Sequence, residues 1–126
     1  MEIIILSGGL GTRLRERVKD VPKVMADVNG KPFLEIILDN INNSNFNRVI
    51  LATGYKKEYI KKYFNNKYGN INLVYSEENE PLGTGGAIKQ ALQYSYEDDI
   101  IIINGDVYQK INYQEIYNKH KKIMQM

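Results

Sequence analysis

The sequence contains neither cysteine nor tryptophan, and it has a single histidine among its 126 residues. Without cysteine, the chain can form no disulfide framework, no zinc–thiolate site and no cysteine nucleophile. One histidine also excludes a histidine-rich metal centre. The chain lacks any apolar run close to the roughly 20 residues that cross a bilayer, and its first residues lack the basic segment of a signal peptide. We therefore expect a cytoplasmic protein that does not bind membranes.

An excess of either charge is also missing, because 17 basic residues are balanced by 15 acidic ones and the net charge is +2. Proteins that bind nucleic acids usually carry a clustered basic face, so we expect no nucleic-acid partner. The apolar fraction of 43% and the charged fraction of 25% are ordinary for a folded domain. A chain of this length has room for one domain.

Short β-branched runs alternate with longer amphipathic segments along the chain. The pattern predicts strands at residues 3–6, 48–53, 71–75 and 100–103, and helices at residues 33–41, 56–64, 84–94 and 113–123. Strands that alternate with helices form a mainly parallel sheet with right-handed crossovers. We therefore predict an α/β fold, a Rossmann-like three-layer sandwich. In such sheets ligands bind beyond the carboxyl ends of the strands, where the following segments gather.

The first candidate site is the glycine-rich segment Leu6-Ser7-Gly8-Gly9-Leu10-Gly11-Thr12-Arg13-Leu14, directly after the first predicted strand. Glycines let the backbone approach a ligand closely and turn its N–H groups toward a phosphate. The spacing fits neither a Walker A loop nor the dinucleotide-binding fingerprint. On this segment alone, a tight strand-to-helix turn is an equal alternative. Arg13 and Lys23 favour phosphate binding, because two cations beside the same loop would neutralise a triphosphate.

The run Gly-Gly-x-Gly-Thr-Arg-Leu at residues 8–14, followed by Pro22-Lys23, resembles the signature of sugar-1-phosphate nucleotidyltransferases. Val24 departs from the pattern, since many members have a second proline there. The resemblance covers essentially the whole chain, and residues 80–88 are most similar to bacterial heptose-1-phosphate and mannose-1-phosphate guanylyltransferases. It implies a fold of the nucleotide-diphospho-sugar transferase type. Residues 1–126 would be a single nucleotide-binding, N-terminal part of such a domain, in truncated form.

Two further segments follow predicted strands, and each has an ordinary structural alternative. Residues 78–87 are typical of a Pro/Gly-rich loop entering a helix, and residues 104–106 (Asn-Gly-Asp) are typical of a plain turn. In the resembling enzymes the first segment forms a wall of the nucleotide pocket, and the aspartate of the second binds magnesium. The resemblance thus implies Mg²⁺ at Asp106, because magnesium prefers carboxylate oxygens together with waters and phosphates.

The implied reaction converts a nucleoside triphosphate and a sugar 1-phosphate into a nucleotide sugar and pyrophosphate. The attacking phosphate oxygen is already ionised, so catalysis comes from positioning and charge neutralisation without a general base. Arg13 would take the pyrophosphate, and Lys23 would bridge toward the α-phosphate and the sugar phosphate. The nucleotide-binding residues would be Leu6, Ser7, Gly8, Gly9, Gly11, Thr12, Arg13, Lys23, Glu78, Pro81, Leu82, Gly83 and Thr84.

The resemblance implies that Glu78 selects the base, because guanylyl enzymes often show the Glu-x-Glu-Pro-Leu-Gly-Thr pattern of residues 78–84, whereas uridylyl and thymidylyl enzymes commonly have glutamine there. A carboxylate can accept hydrogen bonds from both N1–H and the N2 amino group of guanine, whereas the carbonyls of uracil and thymine would repel it. We therefore expect GTP, with dTTP, UTP or CTP as alternatives, and an enzyme that supplies nucleotide sugar for cell-surface polysaccharides. The alternative function is a nucleotide-binding module or a catalytically silent homologue. The sugar and a homo-oligomeric state are left open.

Overall fold

The computed structural model describes residues 2–7, 23–42, 44, 46–54, 57–80, 82–97, 99–105, 115–116 and 118–119. In chain order, this part contains β1 (Glu2–Leu6), β2 (Asp27–Val28), β3 (Lys31–Pro32), α1 (Phe33–Asn42), β4 (Arg48–Thr53), α2 (Lys57–Phe64), β5 (Lys67–Tyr68), β6 (Ile71–Glu77), α3 (Gly83–Leu92) and β7 (Ile101–Asn104). A short 3-10 helix, Lys23–Met25, precedes β2. None of the helices in these ranges is long and apolar enough to span a membrane.

Within the described ranges, the central sheet has five strands in the order β5-β6-β4-β1-β7. β1 pairs in parallel with β4 on one side and with β7 on the other, and β4 pairs in parallel with β6. β5 runs antiparallel along the outer edge of β6. The mainly parallel sheet predicted from the alternation of strands and helices is confirmed.

Apolar side chains on the two faces of the sheet form separate cores, and this makes three layers. Ile3 and Ile5 of β1 lie in the core on the side of α1 and α2, whereas Ile4 packs with Ala91 of α3 on the other side. The alternation follows from the two-residue period of a strand. Because helices cover both faces, a wholly apolar run such as residues 3–6 suits β1, a strand with a neighbour on each side. Burial of each such side chain contributes roughly 1.5–3 kcal/mol.

The β2–β3 hairpin is not among the predicted elements, although its turn carries a strong signal. Asn29 and Gly30 have φ values of +52° and +90°, and Asn-Gly is a favoured pair for the type I′ turn, which needs positive φ at both positions. The hairpin also sets the start of α1, because the N–H of Phe33 donates to the carbonyl of Ala26 at 2.9 Å. Its strands have two residues each, too few for an alternating pattern.

The predicted strands and the first three predicted helices agree with the observed elements within two residues at their ends. β5 was not predicted, because it has only two residues at the edge of the sheet. Of the helix predicted at residues 113–123, residues 115, 116, 118 and 119 are helical. The other residues of that predicted helix lie outside the described part of the chain.

Candidate functional site

The four parallel strands end along one edge of the sheet. The register places Leu6 between Ala52 of β4 and Asn104 of β7, and it places Ala52 beside Ser76 of β6. The segments that follow these strands therefore begin side by side, as expected for a parallel sheet. Ile3 to Ile5 of β1 are fully buried, but Leu6 at the end of β1 is half-buried and Asn104 at the end of β7 is exposed. The edge is thus open above Leu6, on the face that carries α3.

Ser7 anchors the start of the glycine-rich segment to the neighbouring strand. Its backbone N–H and its side-chain hydroxyl both donate to the carbonyl of Ala52, at 2.9 and 2.8 Å. The side chain is buried, so this pair of bonds sets the direction in which the chain leaves β1. Direct contact of Ser7 with a phosphate stays a prediction, and the phosphate-loop residues that follow it lie outside the described part of the chain.

The 3-10 helix Lys23–Met25, here called the segment of Lys23, packs beside the end of β7 at Gly105. Val24 and Met25 are buried in the core, so the 3-10 helix holds the backbone of Lys23 close to the sheet. The side chain of Lys23 lies outside what the structure describes, and its role stays a prediction. Val24, the departure from the family pattern, fills core space at this point.

Gly105 joins three segments of the candidate site. Its N–H donates to the carbonyl of Leu6 at 3.0 Å, which extends the β1–β7 pairing by one residue. A Cβ at this position would lie 2.9 Å from the Leu6 carbonyl oxygen and 2.9 Å from Cγ1 of Val24. The end of β1, the segment of Lys23 and the end of β7 therefore meet at a residue that has no space for a side chain.

Asp106 follows Gly105 directly and lies outside the described residues, so its role as a magnesium ligand stays a prediction. The position is suitable, because it follows a strand end that is hydrogen-bonded to the start of the glycine-rich segment. Within the described ranges, no three histidine, aspartate or glutamate residues come together as a metal site. Magnesium does not require such a group, because it usually binds one or two carboxylates together with substrate phosphates and waters.

Glu78 lies at the amino end of α3. Its backbone N–H donates to the carbonyl of Thr53 at 2.7 Å, which continues the pairing of β6 with β4 beyond the end of the strand. The side chain is only 8% exposed, and its Oε2 accepts a long hydrogen bond from the N–H of Leu82 at 3.4 Å. Because a helix amino terminus carries partial positive charge, it favours a carboxylate in this position.

The first turn of α3 is shaped by glycine and has no acidic residue of its own. Gly83 has a φ of +72°, a backbone conformation that residues other than glycine adopt only at an energetic cost. A Cβ on Gly86 would lie 2.8 Å from Cβ of Leu82, so the loop folds closely onto the helix. Leu82 and Thr84 are both exposed, which leaves their side chains accessible at the open edge.

Gln90 ties the body of α3 to the end of β6. Its side-chain amide donates to the carbonyl of Glu77 at 2.7 Å, the residue immediately before Glu78. The loop of residues 78–82 is therefore held at both ends, by the strand ladder and by the helix. This contact was not predicted from the sequence, because it joins residues 13 positions apart on different elements.

Two buried hydroxyl groups at this edge have no hydrogen-bond partner among the described residues, Oγ1 of Thr53 and Oγ of Ser76. Both side chains are at most 1% exposed. A buried polar group without a partner typically costs about 1–3 kcal/mol of stability. Ser76 was not among the residues predicted to bind the nucleotide. It lies two residues before Glu78, and side chains two residues apart along a strand lie on one face.

The structure describes part of the predicted nucleotide site. Leu6, Ser7, Glu78, Leu82, Gly83, Thr84 and the backbone of Lys23 lie within the described ranges, whereas Gly8, Gly9, Gly11, Thr12, Arg13, Pro81 and Asp106 lie outside them. Leu6 and Glu78 lie on the same face of the sheet, that of α3, with β4 between their strands. These features define an α/β fold with an accessible carboxyl edge, the place where ligands bind in sheets of this kind.

Comparison with known proteins identifies the family. The model of the family described as "Nucleotidyl transferase" matches residues 2–126, and the chain belongs to this family. D-glycero-alpha-D-manno-heptose 1-phosphate guanylyltransferase of Aneurinibacillus thermoaerophilus is 48% identical over 120 residues, which are 95% of this chain and 52% of the relative. The protein of the same name from Campylobacter jejuni is 46% identical over 98% of this chain and 55% of its own length. The chain thus spans about half the length of these relatives.

Solved structures share the fold. The crystal structure of HddC from Yersinia pseudotuberculosis has a TM-score of 0.84 at 40% identity, covering 94% of this chain and 53% of HddC. The same protein complexed with GMP-PN has a TM-score of 0.83. A UTP-bound UGPase from Acinetobacter baumannii has a TM-score of 0.81 at 22% identity, over 95% of this chain and 53% of its own. That last similarity supports the nucleotide-diphospho-sugar transferase type of fold and nothing beyond it.

Proposed function

We propose that this chain binds GTP and takes part in transferring its guanylyl group to a sugar 1-phosphate, with release of pyrophosphate. The observation that carries the proposal is Glu78, a buried carboxylate at the amino end of α3, on the same face as the open edge at Leu6. The names of the two guanylyltransferase relatives and the GMP-PN complex of HddC support guanine as the base. The relatives' names also support a heptose 1-phosphate as the sugar substrate.

A buried carboxylate distinguishes guanine from the pyrimidines by its hydrogen-bonding capacity. It has two oxygens that only accept, and guanine offers two adjacent donors, N1–H and the N2 amino group. Uracil and thymine offer a single N3–H between two carbonyls, so one carboxylate oxygen would face an acceptor. A buried charged group left without its partner is costly, which widens the difference between the two kinds of base.

The reaction is an in-line displacement at the α-phosphorus of GTP. An oxygen of the sugar phosphate forms the new bond to phosphorus, and the bond to the bridging oxygen of the β-phosphate breaks as pyrophosphate leaves. The anchored Ser7 would direct the glycine-rich segment toward the phosphates, with Arg13 and Lys23 supplying positive charge. Magnesium, when bound at Asp106, would neutralise phosphate charge. Because the reaction consumes GTP, we propose that it takes place in the cytoplasm.

The first prediction concerns the base. We expect the unmodified chain to bind GTP more tightly than UTP or dTTP in excess Mg²⁺. Glu78→Gln should reduce that preference by about tenfold, within the roughly 1–3 kcal/mol that a bidentate contact to a base edge contributes. Calorimetric titration of each nucleotide measures both quantities.

Glu80→Gln is the matched control for this prediction, because Glu80 is exposed in the same loop and loses the same charge. We expect the control to keep the preference for GTP. Tighter binding of UTP or dTTP by the unmodified chain would contradict the choice of guanine. Release of pyrophosphate from GTP with a heptose 1-phosphate, but not with GTP alone, tests the transfer itself.

The second prediction concerns the metal. Asp106→Asn keeps the shape of the side chain and removes the charge that magnesium requires. GTP affinity in excess Mg²⁺ should fall by about tenfold, the lower end of what a charge-assisted contact contributes, whereas affinity in EDTA should stay nearly constant. Equal losses with and without Mg²⁺ would show that Asp106 acts only through the structure of the turn.

A further inference from the structure

Ser76 and Thr53 are adjacent buried residues at the candidate site, and their hydroxyl groups point into different layers of the fold. Thr53 pairs with Glu77 across the β4–β6 ladder and continues the alternation of Val49 and Leu51, which lie in the core of α1 and α2. Ser76 pairs with Ala52 and continues the alternation of Val74, which packs in the core of α3. The two unpartnered hydroxyls therefore belong to opposite faces of the sheet.

Ser76 shares its face with Glu78. The N–H of Glu78 donates to the carbonyl of Thr53, so the strand ladder and its two-residue alternation continue one step beyond β6. Glu78 is consequently the next side chain after Ser76 on the face of α3. Both side chains are buried, at 1% and 8% exposure. A hydroxyl donor without a partner and a carboxylate with acceptor capacity thus follow each other along one strand edge.

The neighbours of Ser76 in the strand register are apolar, and the amide of Gln90 from α3 is hydrogen-bonded to the carbonyl of the adjacent Glu77. Ala52 lies beside Ser76 in the register, and Leu6 lies beside Ala52 on β1. The carboxylate of Glu78 has one hydrogen bond within the described residues, the 3.4 Å contact from Leu82, and a carboxylate can accept about four. It has room for the two donors of guanine and for one hydroxyl in addition.

We propose that Ser76 is a positioning residue for base recognition, whose hydroxyl donates to the Glu78 carboxylate when a guanine nucleotide is bound. This inference rests on the proposed function, because it needs Glu78 to receive the base. A glutamate side chain rotates about several bonds, and a hydroxyl bonded to one carboxylate oxygen would fix the plane in which both oxygens face N1–H and the N2 amino group. The hydrogen bond formed on binding also gives the Ser76 hydroxyl the partner that it lacks among the described residues of the free chain, which favours the bound state.

A double-mutant cycle of Ser76→Ala and Glu78→Gln, followed by calorimetric titration of GTP and UTP, tests the proposal. Ser76→Ala should raise the Kd of GTP about tenfold, the effect of one hydrogen bond to a charged group, and leave the Kd of UTP within about twofold. In the Glu78→Gln background, the same substitution should change the Kd of GTP by less than about twofold. The two substitutions are then non-additive, as expected for side chains in direct contact.

Thr53→Val is the matched control, because it removes the other unpartnered hydroxyl on the opposite face of the sheet. We expect it to leave GTP binding unchanged. Thermal unfolding of both variants checks the fold, and each should be as stable as the unmodified chain or more stable, since each removes an unpartnered buried hydroxyl.

The outcomes separate this inference from the proposed function. Equal weakening of GTP and UTP by Ser76→Ala, or a tenfold loss that persists beside Glu78→Gln, would overturn the role of Ser76 while GTP binding itself stands. A Thr53→Val variant that loses GTP selectivity as strongly as Ser76→Ala would also overturn the role of Ser76, because the loss would then not depend on which face of the sheet carries the hydroxyl. Preference of the unmodified chain for UTP, or no nucleotide binding, would overturn both.

Discussion

Replacing Glu2 by alanine is expected to lower the free energy of unfolding by about 3–5 kcal/mol, the usual cost of breaking a buried ion pair by removing one partner. The side chain of Glu2 is 3% exposed, and its Oε2 is paired with the guanidinium of Arg48. Its Oε1 accepts hydrogen bonds from the hydroxyl of Ser95 at 2.8 Å and from the backbone N–H groups of Tyr96 and Glu97 at 3.0 and 3.1 Å. Alanine would leave these donors without their acceptor.

The location of this network explains its importance. Glu2 begins β1, which lies between β4 and β7, and residues 95–97 lie in the connection between α3 and β7. The guanidinium of Arg48 also lies 4.4 Å from the centre of the Tyr96 ring, which adds a cation–π contact. One carboxylate therefore holds β1, β4 and the approach to β7 together at the edge of the sheet opposite the candidate site.

Denaturant unfolding at neutral pH measures the expected loss. The matched control is Glu115→Gln, which removes the charge of an exposed i,i+4 pair with Lys119 at 3.3 Å. Exposed pairs of this kind contribute at most about 1 kcal/mol, so the control should unfold almost as the unmodified chain does. If Glu2→Ala cost no more than Glu115→Gln, the network at Glu2 would be irrelevant to stability.

The same network makes stability depend on pH. Burial by itself would raise the pKa of the Glu2 carboxyl, but the hydrogen bonds from Ser95, Tyr96, Arg48 and Glu97 together lower the pKa below its ordinary value of 4.5. A lowered pKa in the folded state stabilises the fold fully above the unfolded pKa. The stability difference between the unmodified chain and Glu2→Gln should therefore be constant near neutral pH and shrink as the pH falls below about 4.5.

Replacing Gly105 by alanine is expected to cost about 2–3 kcal/mol of stability and to weaken GTP binding. The new Cβ would lie 2.9 Å from a backbone oxygen, that of Leu6, and 3.2 Å from Cγ2 of Ile5. A backbone atom in a paired central strand cannot move as a flexible side chain can, so the strain is typical of an overpacked core. A movement that relieves this steric clash would shift the end of β1, the 3-10 helix Lys23–Met25 or the end of β7.

Gly85→Ala provides the control for the Gly105 prediction. A Cβ on Gly85, in the first turn of α3, would meet no atom within 4 Å among the described residues beyond its own helix turn. Alanine is favoured over glycine within a helix by up to about 1 kcal/mol, so this variant should be unchanged or slightly more stable. Denaturant unfolding and GTP titration of both variants give the comparison. Normal stability of Gly105→Ala would mean that the strand ends do not pack as described.

The sequence by itself determined the architecture in this protein, because the relevant signals are local. Apolar runs of β-branched residues alternate with segments of helical period, and that alternation requires parallel strands joined by crossovers. Parallel strands end at one edge, so the positions after the predicted strand ends, residues 6, 53, 75 and 103, were expected to meet. The observed strands end at residues 6, 53, 77 and 104. Glu78 was expected to select the base from the resemblance of its loop to that of guanylyl enzymes and from the hydrogen-bonding groups of guanine, and this role stays a prediction.

Only the tertiary structure decided which distant residues touch. The order β5-β6-β4-β1-β7 places Gly105 against Leu6 and joins Glu2 to residues 95–97. Local periodicity does not encode that order, since β1, β4 and β7 all carry continuous apolar runs. The faces occupied by Ser76 and Thr53 follow from the register of β4 and β6. The role of a polar residue at a strand end can therefore be inferred only when its neighbours on the adjacent strand are known.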